Sequence, residues 1–197
     1  NCKVVMRRPI SKGFFCSIDK GDGSGLEAND IDLIKKRMSE IVAEAMPFHR
    51  HEVPIAEAID VFRQLGHMDK VKLLETCGEV YISYYTLGGT ADYYYDVLVP
   101  DAGYLKVWDL TPYRGGALLR VPDRHKPEAL APFFEQPKTF DVFSESIKWN
   151  NIMGLDNVGD VNQACIKGKA TDLIEVAEAL QEKKIVQIAE EIDRRYH

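Results

Sequence analysis

Two imidazoles, His49 and His51, flank Arg50. Residues two apart on a strand share a face, so the pair could offer two nitrogen ligands to a metal. A tetrahedral site needs two further donors, and none stands nearby in sequence, so an exposed strand face is the plainer reading. Six tyrosines crowd residues 81–95: Tyr81, Tyr84, Tyr85, Tyr93, Tyr94 and Tyr95. Their rings could stack on a base or a nucleoside. Tyrosine is equally at home on a half-buried strand, and that reading comes first. Basic side chains gather as Lys3, Arg7, Arg8 and Lys12, and again as Arg114, Arg120, Arg124 and Lys126. Either group could meet RNA phosphates or a bound nucleotide; solvated charge or a domain contact explains them more simply. Cys2, Cys16, Cys77 and Cys165 contain no CxxC pair, which leads us to expect reduced, mostly buried thiols rather than a zinc ribbon or disulfide framework. Gly168–Thr171 reads GKAT, without the leading glycine and phosphate-cradling loop of a P-loop.

The elements that must position these groups follow from hydrophobic periodicity. Lys3–Met6 and Gly13–Ile18 read as strands, short apolar runs bounded by Pro9 and Gly13. The glycine- and aspartate-rich segment 19–25 reads as a turn. A helix is expected to follow, capped by Asn29, with Asp30 and Asp32 where the dipole favours negative charge. Ile31, Ile34, Met38, Ile41 and Ala45 recur every three or four residues, and Pro47 ends the run. His49–Val53 is a predicted strand, and Pro54 opens a helix with Ile55, Ala58, Ile59 and Phe62 on one stripe. A short helix over Asp69–Glu75 precedes predicted strands at Glu79–Tyr85, Tyr104–Leu110 and Gly116–Val121. After Pro122, prolines punctuate a basic, loop-rich crossing. Helices are then expected at Phe140–Met153, Val161–Ile166 and Thr171–Arg194. The pattern predicts an α+β fold, with a mainly antiparallel sheet carrying Gly13–Ile18, Glu79–Tyr85 and Tyr104–Leu110. A domain of residues 1–122 would be followed by a helical linker, 123–197.

Composition bounds the function. The 197 residues are 45% hydrophobic and 28% charged, a globular balance that needs no metal or disulfide to hold a core. A net charge of −6 argues against a general nucleic-acid binder, since neutralising phosphate needs a basic face. No stretch approaches the roughly 20 apolar residues of a membrane span. We therefore expect a cytoplasmic protein with no membrane association. The chain starts Asn-Cys-Lys without an initiating methionine, which leads us to expect sequence upstream of Asn1.

GFFCSID at Gly13–Asp19, the helix carrying KKRMSEIV, and PIAEAIDVFRQLGHMDKVKLLE at Pro54–Glu75 resemble the second N-terminal domain of bacterial threonyl-tRNA synthetase. The likeness continues through Thr90–Leu110 and Gly115–Arg120, covering about two-thirds of the chain in one order. The resemblance implies an editing-like fold, with Lys70 and Asp92 matching polar residues near that family's pocket. It also exposes departures. The synthetase removes mischarged serine with two early histidines plus a cysteine and a histidine in an Asp-Leu-Cys-Arg-Gly-Pro-His-Val-Pro run. Here the run from Asp92 to Pro100 puts Tyr94 at the cysteine position and Leu98 at the histidine position. Leucine cannot relay a proton, and a phenol with pKa near ~10 is a poor base at neutral pH. The early histidine pair would fall upstream of Asn1. Lys70, Asp92, Tyr94 and Leu98 are thus expected to line a vestigial pocket with no catalytic or metal-binding residues.

Ile147–Ile192 departs from the synthetase and resembles the linker of a family of nucleoside kinases, usually called uridine kinases, that carry a synthetase-like region before a P-loop kinase. That likeness implies a parent transferase moving a phosphoryl group from ATP, with Mg²⁺, to a nucleoside. No GxxxxGK[ST] occurs in these residues, so ATP and Mg²⁺ would be held by a kinase domain beyond His197 and the segment itself is expected to need no cofactor. Its expected partners are that kinase domain, a nucleoside or RNA ligand, and a second copy in a homo-oligomer. Ligand binding, regulation or assembly is the expected role. A divergent aminoacyl-tRNA editing hydrolase or tRNA-binding module is the alternative, and a pure scaffold with interfacial tyrosines a third.

Overall fold

A computed structural model describes residues 2–196. In chain order the elements are β1 (Lys3–Ile10), β2 (Gly13–Asp19), α1 (Ala28–Ala43), β3 (His49–Pro54), α2 (Ile55–Gln64), α3 (Met68–Leu74), β4 (Tyr81–Leu87) and β5 (Thr90–Tyr93). A 3-10 turn (Ala102–Tyr104), β6 (Asp109–Tyr113), β7 (Gly116–Arg120), β8 (Pro122–Asp123) and β9 (Lys126–Leu130) follow, then α4 (Pro137–Met153), α5 (Val158–Ile166) and α6 (Ala170–Tyr196). This is an α+β fold built on antiparallel pairing. Among the described residues there are two main sheets where one was expected: β1-β2-β7-β6 and β3-β4-β5, plus the small β8-β9 hairpin. Gly13–Asp19 and Tyr81–Leu87 accordingly belong to different sheets. The chain forms two compact units, residues 1–50 with 85–143 and residues 51–84 with 144–197. This division cuts across the change in composition near residue 123. Compactness records which segments pack, whereas composition records local character only.

In the first unit, β2 pairs with β7 so that Phe15 faces Leu118 and Cys16 faces Ala117. Cys16, Ile31, Leu110 and Ala117 form a buried cluster, with Ile34 and Met38 of α1 packed against it. The predicted helical stripe thus covers one sheet face. A second cluster joins Ile10, Tyr113 and Leu118 to Phe15, Phe140 and Phe143. Gly116 has no room for a side chain: a Cβ there would lie 2.7 Å from the Phe15 ring.

Several local expectations are corrected. Asn29 is not the cap of α1, because the helix begins at Ala28 with Glu27 as N-cap. Asp30 closes the end instead, its carboxylate accepting the Glu27 N–H at 2.9 Å and pairing with Lys20 at 2.9 Å. Those two contacts, the backbone bond first, hold the Asp30 carboxyl below its ordinary range. α1 ends at Ala43, ahead of Pro47, because Ala45 takes a left-handed φ of 46°. The Ala45 N–H then reaches the Val42 carbonyl at 3.1 Å and the Met46 N–H the Ile41 carbonyl at 3.2 Å, the paired bonds of a Schellman ending. Pro54 sits at the N-cap of α2, and the following Ile55 N–H donates to the Val80 carbonyl at 3.0 Å. Tyr104 closes a 3-10 turn, since the Asp101 carboxylate captures the Gly103 N–H at 2.8 Å; the strand starts only at Asp109. Residues 122–130, expected to be loop, form a hairpin turned by the Asp123 carboxylate accepting the His125 N–H at 2.8 Å. Of the four free thiols only Cys16 is buried, and burial pushes its pKa up. Cys2 and Cys165 are exposed, contrary to the expectation for thiols.

The second unit is mostly helical. Ala58 and Phe62 of α2, Val71 and Leu74 of α3, and Ile82 and Tyr84 of β4 are buried in it. The Phe62 ring meets the Tyr84 ring edge-on at 5.6 Å. α5 packs on α3 at Gly159, where an added Cβ would lie 2.7 Å from Lys72 Cβ and 2.8 Å from the Leu73 nitrogen. Lys72 bonds Asp160 at 2.6 Å, and Asn162 donates to the Thr76 hydroxyl at 3.1 Å. Burial raises the Asp160 carboxyl, but the Lys72 ammonium and the Asn157 and Asp156 N–H groups outweigh it and leave the pKa lowered. The hydrogen bond to Asp160 in turn raises Lys72.

Candidate functional site

A half-open cavity of about 440 Å³ is built wholly from the first unit. α1 supplies Arg37 and Ile41, and the turn after it supplies Met46 and Phe48. The opposite wall is the β4–β5 hairpin: Tyr85, Leu87, the Gly88-Gly89 turn, Thr90, Ala91 and Asp92, with Tyr94 just beyond. A two-residue glycine turn suits a tight hairpin, and Gly88 adopts a φ of 57° that other residues rarely take. A short backbone clamp brings the next loop alongside. Phe48 N–H bonds the Pro100 carbonyl at 2.9 Å, and Ala102 N–H bonds the Met46 carbonyl at 2.9 Å.

Tyr85 ties these pieces together. Its ring is buried and meets the Tyr94 ring edge-on at 6.2 Å. Its hydroxyl accepts the Leu98 N–H at 3.3 Å. Asp92 and Tyr94 therefore line one pocket, and Leu98 is joined to that pocket through Tyr85. Tyr94 remains 43% exposed, leaving its ring accessible from solvent. Asp92 Oδ1 accepts the Tyr93 N–H at 2.7 Å, which fixes the carboxylate beside the hairpin end. Lys70, the fourth residue singled out from sequence, lies on α3 of the second unit. At the rim, Arg37 pairs with Glu40 at 3.0 Å and lies 3.8 Å from Glu44.

The lining offers phenol rings, a carboxylate, a guanidinium and a threonine hydroxyl on an otherwise apolar wall, without imidazole or thiol among its described residues. Such a surface can stack a planar ring and accept hydrogen bonds from hydroxyls. Sequence reasoning missed the walls made by Met46 and Phe48. It noted Tyr85 only as one of six tyrosines; the Leu-Gly-Gly-Thr hairpin signal between two strand-like runs would have placed it.

The other candidates resolve into structure. His51 stacks on Tyr84 at 4.9 Å, and among the described residues no group of three or more histidines, cysteines or carboxylates could hold a metal. Arg7 bonds the Ser17 hydroxyl, Arg8 sits 5.1 Å over the Phe143 ring, and Lys12 pairs with Asp123 at 3.2 Å. Arg114 lies over Phe140 at 5.2 Å, and Arg120 donates to the Ala131 carbonyl. No helix among the described residues is long and apolar enough to cross a membrane.

No family model matches the chain. Curated relatives do. A threonine–tRNA ligase of Porphyromonas gingivalis is 29% identical over 106 residues, 54% of this chain and 16% of the relative. That of Syntrophotalea carbinolica is 31% identical over 113 residues, 57% of this chain and 18% of its own length. That of Methylococcus capsulatus is 38% identical over 88 residues, 44% of this chain and 14% of its own. The match spans less than a fifth of each of these relatives. About half of this chain is therefore threonyl-tRNA-synthetase-like.

Proposed function

We propose that this chain is a non-catalytic, synthetase-like module that binds a nucleoside-bearing ligand in the pocket of Tyr85, Asp92 and Tyr94. One observation carries the reading: the pocket sets the solvent-accessible Tyr94 ring, backed by buried Tyr85, beside the Asp92 carboxylate, in a volume of about 440 Å³ that lies within the usual range for small-molecule sites. At the positions that the synthetase resemblance gives to a cysteine and a histidine, Tyr94 brings a ring in place of a thiol, and Leu98 an apolar side chain, which cannot relay a proton, in place of an imidazole. In this reading Asp92 accepts ribose hydroxyls. Lys70 stays a candidate on the resemblance alone. Calorimetry with uridine and adenosine tests the reading. Saturable binding of one nucleoside that weakens at least about tenfold in Tyr94→Ala supports it; no saturable binding of either defeats it.

In the finer form of this proposal, residues 1–122 are the synthetase-like domain. Residues 123–197 are a helical linker toward a cytoplasmic nucleoside (uridine) kinase domain that would hold ATP and Mg²⁺. The linker's likeness to that kinase family supports this, and the reading frame after residue 197 tests it. A strand and GxxxxGK[ST] should follow within about 20 residues. The 197 residues alone should show no tight MgATP binding and no phosphotransferase activity, since they contain no P-loop.

The second reading is a tRNA-binding or divergent editing module, favoured by the threonine–tRNA ligase relatives. It predicts serine release from mischarged threonine tRNA above background, abolished by Asp92→Ala. Background release with retained tRNA binding would leave the binding-module form standing.

A further inference from the structure

We propose that the distal half of α6 is a self-association surface, pairing antiparallel with α6 of a second copy. No residue of α6 is buried, although the helix runs 27 residues. Ile185, Ile188 and Ile192 are 58%, 50% and 54% exposed. Their spacing of three and four places them on one face, with Tyr196 continuing it; this is the seam of a two-helix coiled coil. Side chains of Lys184, Ile188, Glu191, Ile192 and Arg195 outline an open groove along one edge of that face. From Gln181 the distal portion is about 24 Å long at 1.5 Å per residue, so three isoleucine layers fit along it. Leaving that much branched apolar surface in water is unfavourable.

Charge selects the occupant and its direction. Lys184 and Glu191 flank the seam on the same side, one heptad apart. An antiparallel pair centred near Gln187 sets Lys184 of each copy beside Glu191 of the other. It also brings Glu178 and Glu182 toward the Arg194–Arg195 end. A parallel pair would instead place Lys184 beside Ala189 and Glu191 beside Tyr196, with no ion pair across the seam. Within its own unit Lys184 bonds Glu145 at 2.7 Å and Glu191 engages Arg194 and Arg195. These exposed pairs can be shared with or exchanged for partners on the second copy.

Sedimentation of the 197-residue chain over a concentration series tests the proposal. The chain should dimerise, and Ile188→Asp should raise the dissociation constant by roughly a hundredfold, since each dimer loses two buried isoleucines. Helicity should be largely unchanged, because Ile188 is half exposed on a helix with no buried residue. Charge swaps report direction. Lys184→Glu and Glu191→Lys should each dimerise poorly alone yet pair with one another when mixed, because the mixed antiparallel dimer restores both cross-pairs. A monomer at every concentration, a dimer unmoved by Ile188→Asp, or swapped variants with no preference for each other would overturn it.

Discussion

The sheet-built first unit and the helix-built second unit hold their shape by different means. In the first, side chains from four strands and α1 interlock in two apolar clusters, so the hairpin and turns at their edge can be held as a pocket. In the second, the contact of α3 with α5 depends on Gly159 and on the Lys72–Asp160 pair, and α6 runs on with no buried residue. A core spread over many partners can support a concave site. A long helix with few partners supplies an exposed surface, which is where the proposed self-association would form.

The sharpest way to break this comparison is Phe62→Ala. Its side chain is fully buried, and the truncation should cost about 3–5 kcal/mol. Hydrogen exchange should show that loss in α2, α3 and β4, while β2 and β7 keep their protection; equal loss in both units would erase the distinction. Next comes Gly159→Ala, which forces a Cβ onto the α3 backbone and should cost about 1–3 kcal/mol by urea unfolding. A smaller loss would mean that α5 can shift away without penalty.

The Lys72–Asp160 pair adds a pH dependence of smaller size, no more than about 1 kcal/mol because Lys72 is partly solvated. Asp160 titrates below its ordinary range, so its contribution is present above about pH 4 and fades as pH falls through the lowered value. Lys72 titrates above its ordinary range, so its contribution is present below about pH 10.5 and fades as pH rises through the raised value. Asp160→Asn should flatten both limbs of the α5 protection profile. The smallest stability effect is expected from Tyr94→Ala, within about 0.5 kcal/mol for an exposed ring, alongside the loss of nucleoside affinity. A large stability loss there would recast Tyr94 as structural.

Local character was legible in the residues themselves. The Ile31/Ile34/Met38 stripe announced a helix lying on a core, and α1 does so, because a 3.6-residue period needs only the chain to define a face. The α+β class and the strands at Gly13 and Gly116 were readable for the same reason, as was the absence of cysteine and histidine at positions 94 and 98. What the chain could not display was set by partners distant in sequence. Asp30 rather than Asn29 closes α1, because Lys20 and the Glu27 N–H converge on its carboxylate. Gly13 and Tyr81 mark strands of separate sheets, because pairing depends on which edge each strand meets. The pocket belongs to this second kind. Tyr85 joins Tyr94 and Leu98 only once the hairpin has closed and the backbone at residues 46–48 has clamped that at 100–102. Periodicity records which face of an element is apolar; only packing in three dimensions decides what that face meets.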